Sequence, residues 1–322
     1  MSKLLRVPFA LDENNQLLNP ANAEKGKIYF CPVCNEPVIY RHGEKEKRVA
    51  HFAHKVSGSC NQETITHKTA KLLIQKAVDD WKSGKGETPI IERACQGCGK
   101  TMPQQLPEKV DKALLEYRLE NGFIVDVALM VKDKPQAAIE IWVTHAVDRI
   151  KASNLSVPFI ELDGYGVIEN PMVWQPMVDN FKPLLCNECK SIYLKFQAKA
   201  TQVAKACNLV LPNSYYRHGI CKCWKCKREI IVFAWVKDVM HDNSAPKIQP
   251  PPRTVQYRFS KTVGDKYWVN SCPYCQSIQG DFFLYCEPDG AFFGVNCTED
   301  SVTAFESDMF RIASHAKRLG YL

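Results

Sequence analysis

Two carboxylates occupy positions where the pattern calls for apolar side chains. In FIVDVALMV, Asp126 lies among Ile124, Val125, Val127 and Leu129, and in AAIEIWVTH, Glu140 lies between Ile139 and Ile141. Burying such a charge is costly unless a cation or a hydrogen-bond partner neutralises it. Two of them on neighbouring strands point to a metal, and carboxylate oxygens suit a hard ion such as Mg2+ or Mn2+. A second chemistry is carried by sulfur. Ten of the fifteen cysteines form five C-x2-C pairs: Cys31/Cys34, Cys95/Cys98, Cys186/Cys189, Cys223/Cys226 and Cys272/Cys275. That spacing lets two thiolates from one tight turn take adjacent corners of a tetrahedron, the geometry of structural zinc.

The elements that must position these groups can be read from the same stretches. The two carboxylate-bearing runs are joined by the polar turn KDKP, which predicts a β-hairpin. VDRIKASNL then predicts a short helix and VPFIELD another strand. Upstream, QETITHKTAKLLIQKAVDDWKSG has helical spacing and stops at Gly84. Glu63, His67 and Lys71 fall at i, i+4 and i+8 and stack along one side of that helix. By itself this is a polar stripe facing solvent.

Each zinc site needs four ligands. Cys31 and Cys34 are completed by His54 and Cys60, with His51 as the substitute for His54. Cys95 and Cys98 precede the hairpin and Cys186 and Cys189 follow its last strand, so together they close a four-cysteine clasp around the core; the competing assignment gives either pair a stray cysteine such as Cys207. Cys223, Cys226, Cys272 and Cys275, each pair followed by an aromatic strand, resemble a zinc ribbon in which Cys221 is the substitute ligand. Trp224, Phe233, Trp235, Tyr267, Trp268, Phe282 and Phe283 then form the small core of that ribbon, the alternative being base stacking. Cys286 and Cys297 have no assigned partner.

The order Y-x-C-P-x-C, HFAH, Glu63-x3-His67-x3-Lys71, Asp126-Val127 and Ala138-Ile139-Glu140 resembles the competence-protein CoiA family of nucleases over roughly the first half of the chain. The resemblance implies an N-terminal zinc-binding module joined to a PD-(D/E)XK nuclease-like core. It implies Glu63, Asp126 and Glu140 as ligands of a catalytic Mg2+, with His67 and Lys71 beside them. Two positions depart from the pattern: Trp142 stands where the fold's Glu-x-Lys motif has lysine, and Ile124 stands where family members carry a basic residue, with Arg118 nearby. An active enzyme then takes its cation from another element, Lys71 first and Lys151 second.

The 322 residues allow two or three domains. The expected division is an N-terminal zinc module over 1–62, a nuclease-like domain over 63–189 and a C-terminal helical segment with a zinc ribbon over 190–322. The formal charge of +7 is mildly basic and permits a polyanionic partner. No run approaches a membrane span and no signal sequence is evident, so the expectation is a cytoplasmic protein without a membrane partner. The fold class expected is α+β or α/β, a PD-(D/E)XK restriction-endonuclease-like core flanked by zinc modules with three structural zinc ions. The function expected is a Mg2+-dependent DNA endonuclease acting in competence or in defence against foreign DNA. The rival is an inactive nuclease fold that binds nucleic acid or a partner protein, and an oligomer is compatible with either.

Overall fold

The computed structural model describes residues 6–42, 50–55, 60–144, 151, 154–237, 240–295, 297 and 299–322. Contact density divides the chain into two compact units, one of Met1–Arg93 with Pro103–Phe181 and one of Ala94–Met102 with Lys182–Leu322.

The first unit opens with six short strands, β1 (Arg6–Val7), β2 (Ala10–Leu11), β3 (Leu17–Leu18), β4 (Tyr29–Phe30), β5 (Pro37–Arg41) and β6 (His51–His54), in the order β1-β6-β5-β4-β2-β3. Val7, Tyr29, Phe52 and Ile65 make their core. Helix α1 (Gln62–Lys82) begins where the Asn61 side chain accepts the Thr64 amide at 2.7 Å, a cap that satisfies one of the unpaired N–H groups of the first turn. Its apolar side, Ala70, Leu73, Ile74 and Val78, packs with Val127, Leu129, Ile139, Ile141 and Ile160.

Two strands, β7 (Ile90–Ala94) and β8 (Thr101–Gln105), precede the sheet that carries the carboxylates. That sheet is built from β9 (Lys112–Arg118), β10 (Ile124–Val131), β11 (Lys134–Trp142), β12 (Phe159–Asp163) and β14 (Pro176–Asp179), in the order β14-β12-β11-β10-β9. Between β12 and β14 come the short helix α2 (Gly164–Glu169) and strand β13 (Val173–Trp174), which pairs with β7. The expected hairpin is β10–β11, and its two-residue turn has Lys132 and Asp133 at φ 48° and 62°, the left-handed pair that a type I′ turn requires. β11 and β12 run parallel. Ala128, Met130, Ala138 and Phe159 fill the face turned away from α1. The helix expected over VDRIKASNL lies largely outside the described residues, although Lys151 is within them.

The second unit contains α3 (Asn187–Ala206), the hairpin β15 (Arg217–Lys222) and β16 (Glu229–Ala234), the strands β17 (Val255–Ser260), β18 (Asp265–Ser271) and β19 (Ile278–Gln279), the short α4 (Asp281–Cys286) and α5 (Val302–Arg318). Its core joins Phe196 and Val203 of α3, Ile220, Ile231 and Phe233 of the first hairpin, and Met309 and Ile312 of α5. Arg217, fully buried, donates to Asp308 at 3.0 Å and to the Tyr215 and Glu299 carbonyls, which ties β15 to α5. Of the aromatic residues marked in the sequence, Phe233, Trp235 and Tyr267 are core, Trp268 and Phe283 are half-buried, and Trp224 and Phe282 are exposed. The chain is thus a mixed α+β protein of several small sheets. Among the described residues no helix is long and apolar enough to cross a membrane.

Candidate functional site

Four of the five C-x2-C pairs fold into the same turn. In each, the first cysteine's N–H donates to the carbonyl five residues on, at 2.9 Å: Cys31 to Glu36, Cys95 to Lys100, Cys223 to Arg228 and Cys272 to Ser277. The residue after the second cysteine is left-handed in every case, Asn35, Gly99, Lys227 and Gln276, with φ between 57° and 76°. This turn points both sulfurs the same way. Cys186 and Cys189 differ, because Cys186 is the N-cap of α3 and its sulfur accepts the Cys189 N–H. A helix N-terminus favours a thiolate by the same logic that favours any anion there.

The pairs assemble into three sets, Cys31/Cys34/His54/Cys60, Cys95/Cys98/Cys186/Cys189 and Cys223/Cys226/Cys272/Cys275, with the ligand atoms of each set within 4.8 Å of one another. All of these cysteines are free thiols. With zinc–sulfur bonds of about 2.3 Å, the edge of a tetrahedron is about 3.8 Å. Cys98–Cys186, Cys226–Cys272 and Cys223–Cys275 lie at 3.9, 3.7 and 3.6 Å. In the first set, His54 Nε2 is buried with no hydrogen-bond partner. The donor sets therefore fit zinc, and His54 rather than His51 belongs to the first. In the clasp, a Cβ at position 97 would come within 2.8 Å of Cys189 Sγ, so only glycine fits there. Cys207, Cys221, Cys286 and Cys297 stand outside the three sets.

Protonation follows from this crowding. Burial raises Cys223, but the N–H groups of Cys226 and Lys225 and the Ser277 hydroxyl overcome it and bring the thiol down to about 6. Cys95 falls to about 7 in the same way, against burial, through the N–H groups of Cys186, Cys98 and Gly97. Burial and then the neighbouring Cys34 and Cys31 push Cys60 up to about 12. Four thiolates cannot coexist at this distance without a cation among them.

The carboxylates form a different arrangement. The register that pairs Val127 with Ile139 sets Asp126 level with Glu140, and Glu140 pairs with Glu161 on β12. On the other side, Tyr117 pairs with Val125 and Leu115 with Val127, which sets Glu116 level with Asp126. Glu116, Asp126, Glu140 and Glu161 thus cross four adjacent strands in one row. Glu140 and Glu161 are only 3 % and 4 % exposed. Glu116 adopts φ 49° in mid-strand, a left-handed conformation that is strained for a residue with a Cβ.

Two lysines lie against this row. Lys71 of α1, itself buried, donates to Glu116 and to Asp126 Oδ1, the latter at 3.3 Å. Lys151 donates to Glu140 Oε2 at 2.7 Å. His67, one turn before Lys71, lies 3.1 Å from Asp126 Oδ2, which also accepts the Ile141 N–H at 2.9 Å. Glu63, a further turn back, accepts the Thr144 hydroxyl. The stripe of α1 therefore faces the hairpin. Burial acts to raise Asp126, but the hydrogen bond to His67 and the charges of Lys71 and His67 outweigh it and hold the carboxyl at about 2. Burial and then the Asp126 charge raise Glu140 to about 7, against Lys151. Glu140 Oε1 is buried without a partner.

That orphaned oxygen fits a cation beside Asp126 and Glu140. Glu63 is a separate matter: among the described residues, no third acidic, histidine or cysteine ligand gathers with that pair as the cysteine sets gather. Three participants were missed by the sequence reading: Glu116, Glu161 and Thr144. Glu161 was within reach, because in VPFIELD it interrupts an apolar strand as Glu140 does.

Residues 13–63 match the family model for competence protein CoiA, N-terminal domain. The match takes in Cys31, Cys34, His54 and Cys60 and ends on Glu63, so the N-terminal module of this chain is CoiA-like. No curated protein and no solved structure matches the chain.

Proposed function

We propose that the chain is a metal-dependent nuclease of the PD-(D/E)XK type that hydrolyses DNA phosphodiesters in a competence-related process, with zinc confined to structural sites. The observation that carries the reading is the carboxylate row, in which Asp126 and Glu140 sit level on adjacent strands, each bonded to a lysine, with Asp126 also met by the polar stripe of α1. A stability role alone does not account for it, because burying charge in this way costs more than apolar residues of the same size. The CoiA-like module supports the competence setting.

Asp126 and Glu140 would hold Mg2+, which when bound lowers the pKa of a water and offsets charge on the phosphate. The chain's own groups have separable parts. His67 and the Ile141 N–H fix the Asp126 carboxylate in place and keep it ionised. Glu140 Oε1 is where a proton rests near neutrality until a cation arrives. Lys151, partly open to solvent, holds positive charge at Glu140 and takes the part that Trp142 cannot play. Lys71 is locked between Glu116 and Asp126 and positions the aspartate.

A second reading, an inactive nuclease fold that grips DNA, is favoured by one feature: both Asp126 oxygens already have protein partners. The experiment is Mg2+-dependent cleavage of single-stranded, duplex and branched DNA by the wild type, Asp126→Asn and Glu140→Gln, with zinc content measured in each. Cleavage lost in both variants at unchanged zinc supports the nuclease. Cleavage retained in either refutes the site, and a wild type that binds but never cuts selects the second reading.

A further inference from the structure

The basic excess of the chain is not shared between its units. Residues 94–102 and 182–322 hold 20 lysines and arginines against 12 aspartates and glutamates, whereas the first unit holds 22 against 23. All of the net positive charge thus belongs to the unit that lacks the carboxylate row.

Within that unit one sheet face is built against the usual pattern. On the β17–β18 hairpin, Val255 pairs with Asn270, Tyr257 with Trp268 and Phe259 with Lys266, and residues directly opposite share a face. At the inner end this face is core: Val255 is buried, and Asn270 bonds the Phe233 N–H at 2.7 Å and the Phe233 carbonyl at 2.8 Å. Further out it stays aromatic yet open to water, with Tyr257 48 % and Phe259 54 % exposed. The Tyr257 and Trp268 rings lie 5.8 Å apart. Lys266 on the face and Lys261 in the turn are exposed, and among the described residues neither has an ion-pair partner. Tyr257 has Trp268 as a ring neighbour across the hairpin, whereas Phe259, among the described residues, has no ring contact.

We infer that this face is a stacking platform for single-stranded nucleic acid, separate from the carboxylate row. Rings two residues apart on a strand are about 6.8 Å apart, twice the roughly 3.4 Å rise per base of one strand of a duplex. Successive bases therefore reach Tyr257 and Phe259 only when the strand is unstacked and extended. Every base offers a π-face, so the platform is tolerant of sequence, and Lys261 and Lys266 meet the phosphates that flank the stacked bases. The inference shares the nucleic-acid class with the nuclease reading but not its residues, so either can fail without the other.

The test is fluorescence anisotropy of the full-length zinc-loaded protein with a labelled 12-nucleotide oligothymidylate, Mg2+ omitted, against a duplex of equal length. Tyr257→Ala and Phe259→Ala each weaken single-strand binding about tenfold or more, while Tyr257→Phe and Phe259→Trp retain it. Lys261→Gln with Lys266→Gln flattens the plot of log affinity against log salt by about 1.4. Zinc content and melting temperature stay at wild-type values in all of these. Wild-type affinity in both alanine variants overturns the platform. So does equal loss of single-strand and duplex binding, which makes the occupant a duplex. Loss of self-association in light scattering, without loss of oligonucleotide binding, makes it a second copy of the chain and overturns the inference as well.

Discussion

Glu140 offers a measurement that needs no substrate. In metal-free buffer its folded pKa is about 7, raised by burial and by Asp126 from an ordinary value of 4.5. Between these two values the folded state holds more protons than the unfolded chain, so the slope of stability with pH is negative. The contribution is most favourable below pH 4.5 and is lost as pH rises through 7. With 1.36 kcal/mol per unit, a difference of about 2.5 units corresponds to about 3 kcal/mol. Glu140→Gln keeps the shape and removes the titration. The stability of the wild type relative to this variant therefore falls by about 3 kcal/mol between pH 4.5 and 8, or about 6–12 °C in melting temperature for a unit of this size. Taking the difference cancels the pH dependence of the zinc sites, which both proteins share. Added Mg2+ restores much of the loss at pH 8 in the wild type and none in the variant, since an ion that binds only the folded state stabilises it. The assay is thermal unfolding followed by circular dichroism across pH with constant zinc. Parallel curves for the two proteins would show that Glu140 is not held in a site that resists its charge.

Further outcomes follow from the same geometry. Metal analysis of protein purified without added zinc gives three zinc ions per chain; His54→Ala gives two and His51→Ala three, because His54 Nε2 is the orphaned buried nitrogen of the first set. Cys223→Ser loosens the second unit and leaves the first folded, as hydrogen exchange can read, since each set draws its ligands from a single unit. In single-turnover cleavage, Lys151→Ala lowers the rate about a hundredfold with little change in DNA affinity or melting temperature. Lys71→Ala costs stability as well, about 3–5 kcal/mol, because it strips a buried charge partner from Asp126. If Lys151→Ala cuts at the wild-type rate, the lysine substitution for Trp142 is wrong.

Local chemistry was legible in the chain and register was not. The C-x2-C spacing announced the turns because such a pair has few other uses in a chain of this kind, and the left-handed residue after each pair explains why Asn35 and Gly99 stand where they do. The count of four ligands proposed pairing Cys95/Cys98 with Cys186/Cys189, but a stray cysteine such as Cys207 met the same need, and it is the fold that brings these four together without it. What no spacing announced is that the fifth pair opens a helix rather than a turn, since Cys186 caps α3 with its own sulfur. Asp126 and Glu140 were visible as charges in apolar runs, and the helical period placed Glu63, His67 and Lys71 on one line.

Which groups meet across strands is set by pairing, and a slip of one residue changes every partner. Glu116 belongs to KALLEYR, where alternation of charge and apolar residues suits an ordinary strand, so nothing marked it. Its role rests on the pairing that brings it level with Asp126 and on its side-chain bond from Lys71. The consequence bears on how the site is charged. Burial and the Asp126 charge both oppose a negative charge on Glu140, and Lys151 meets only one of its oxygens. That charge is lowered by a proton on Glu140 or by a cation beside it. Those two occupants compete for the same unpaired oxygen, Glu140 Oε1. A site of this kind would bind a cation more tightly as pH rises through about 7, with the proton held by Glu140 released on binding.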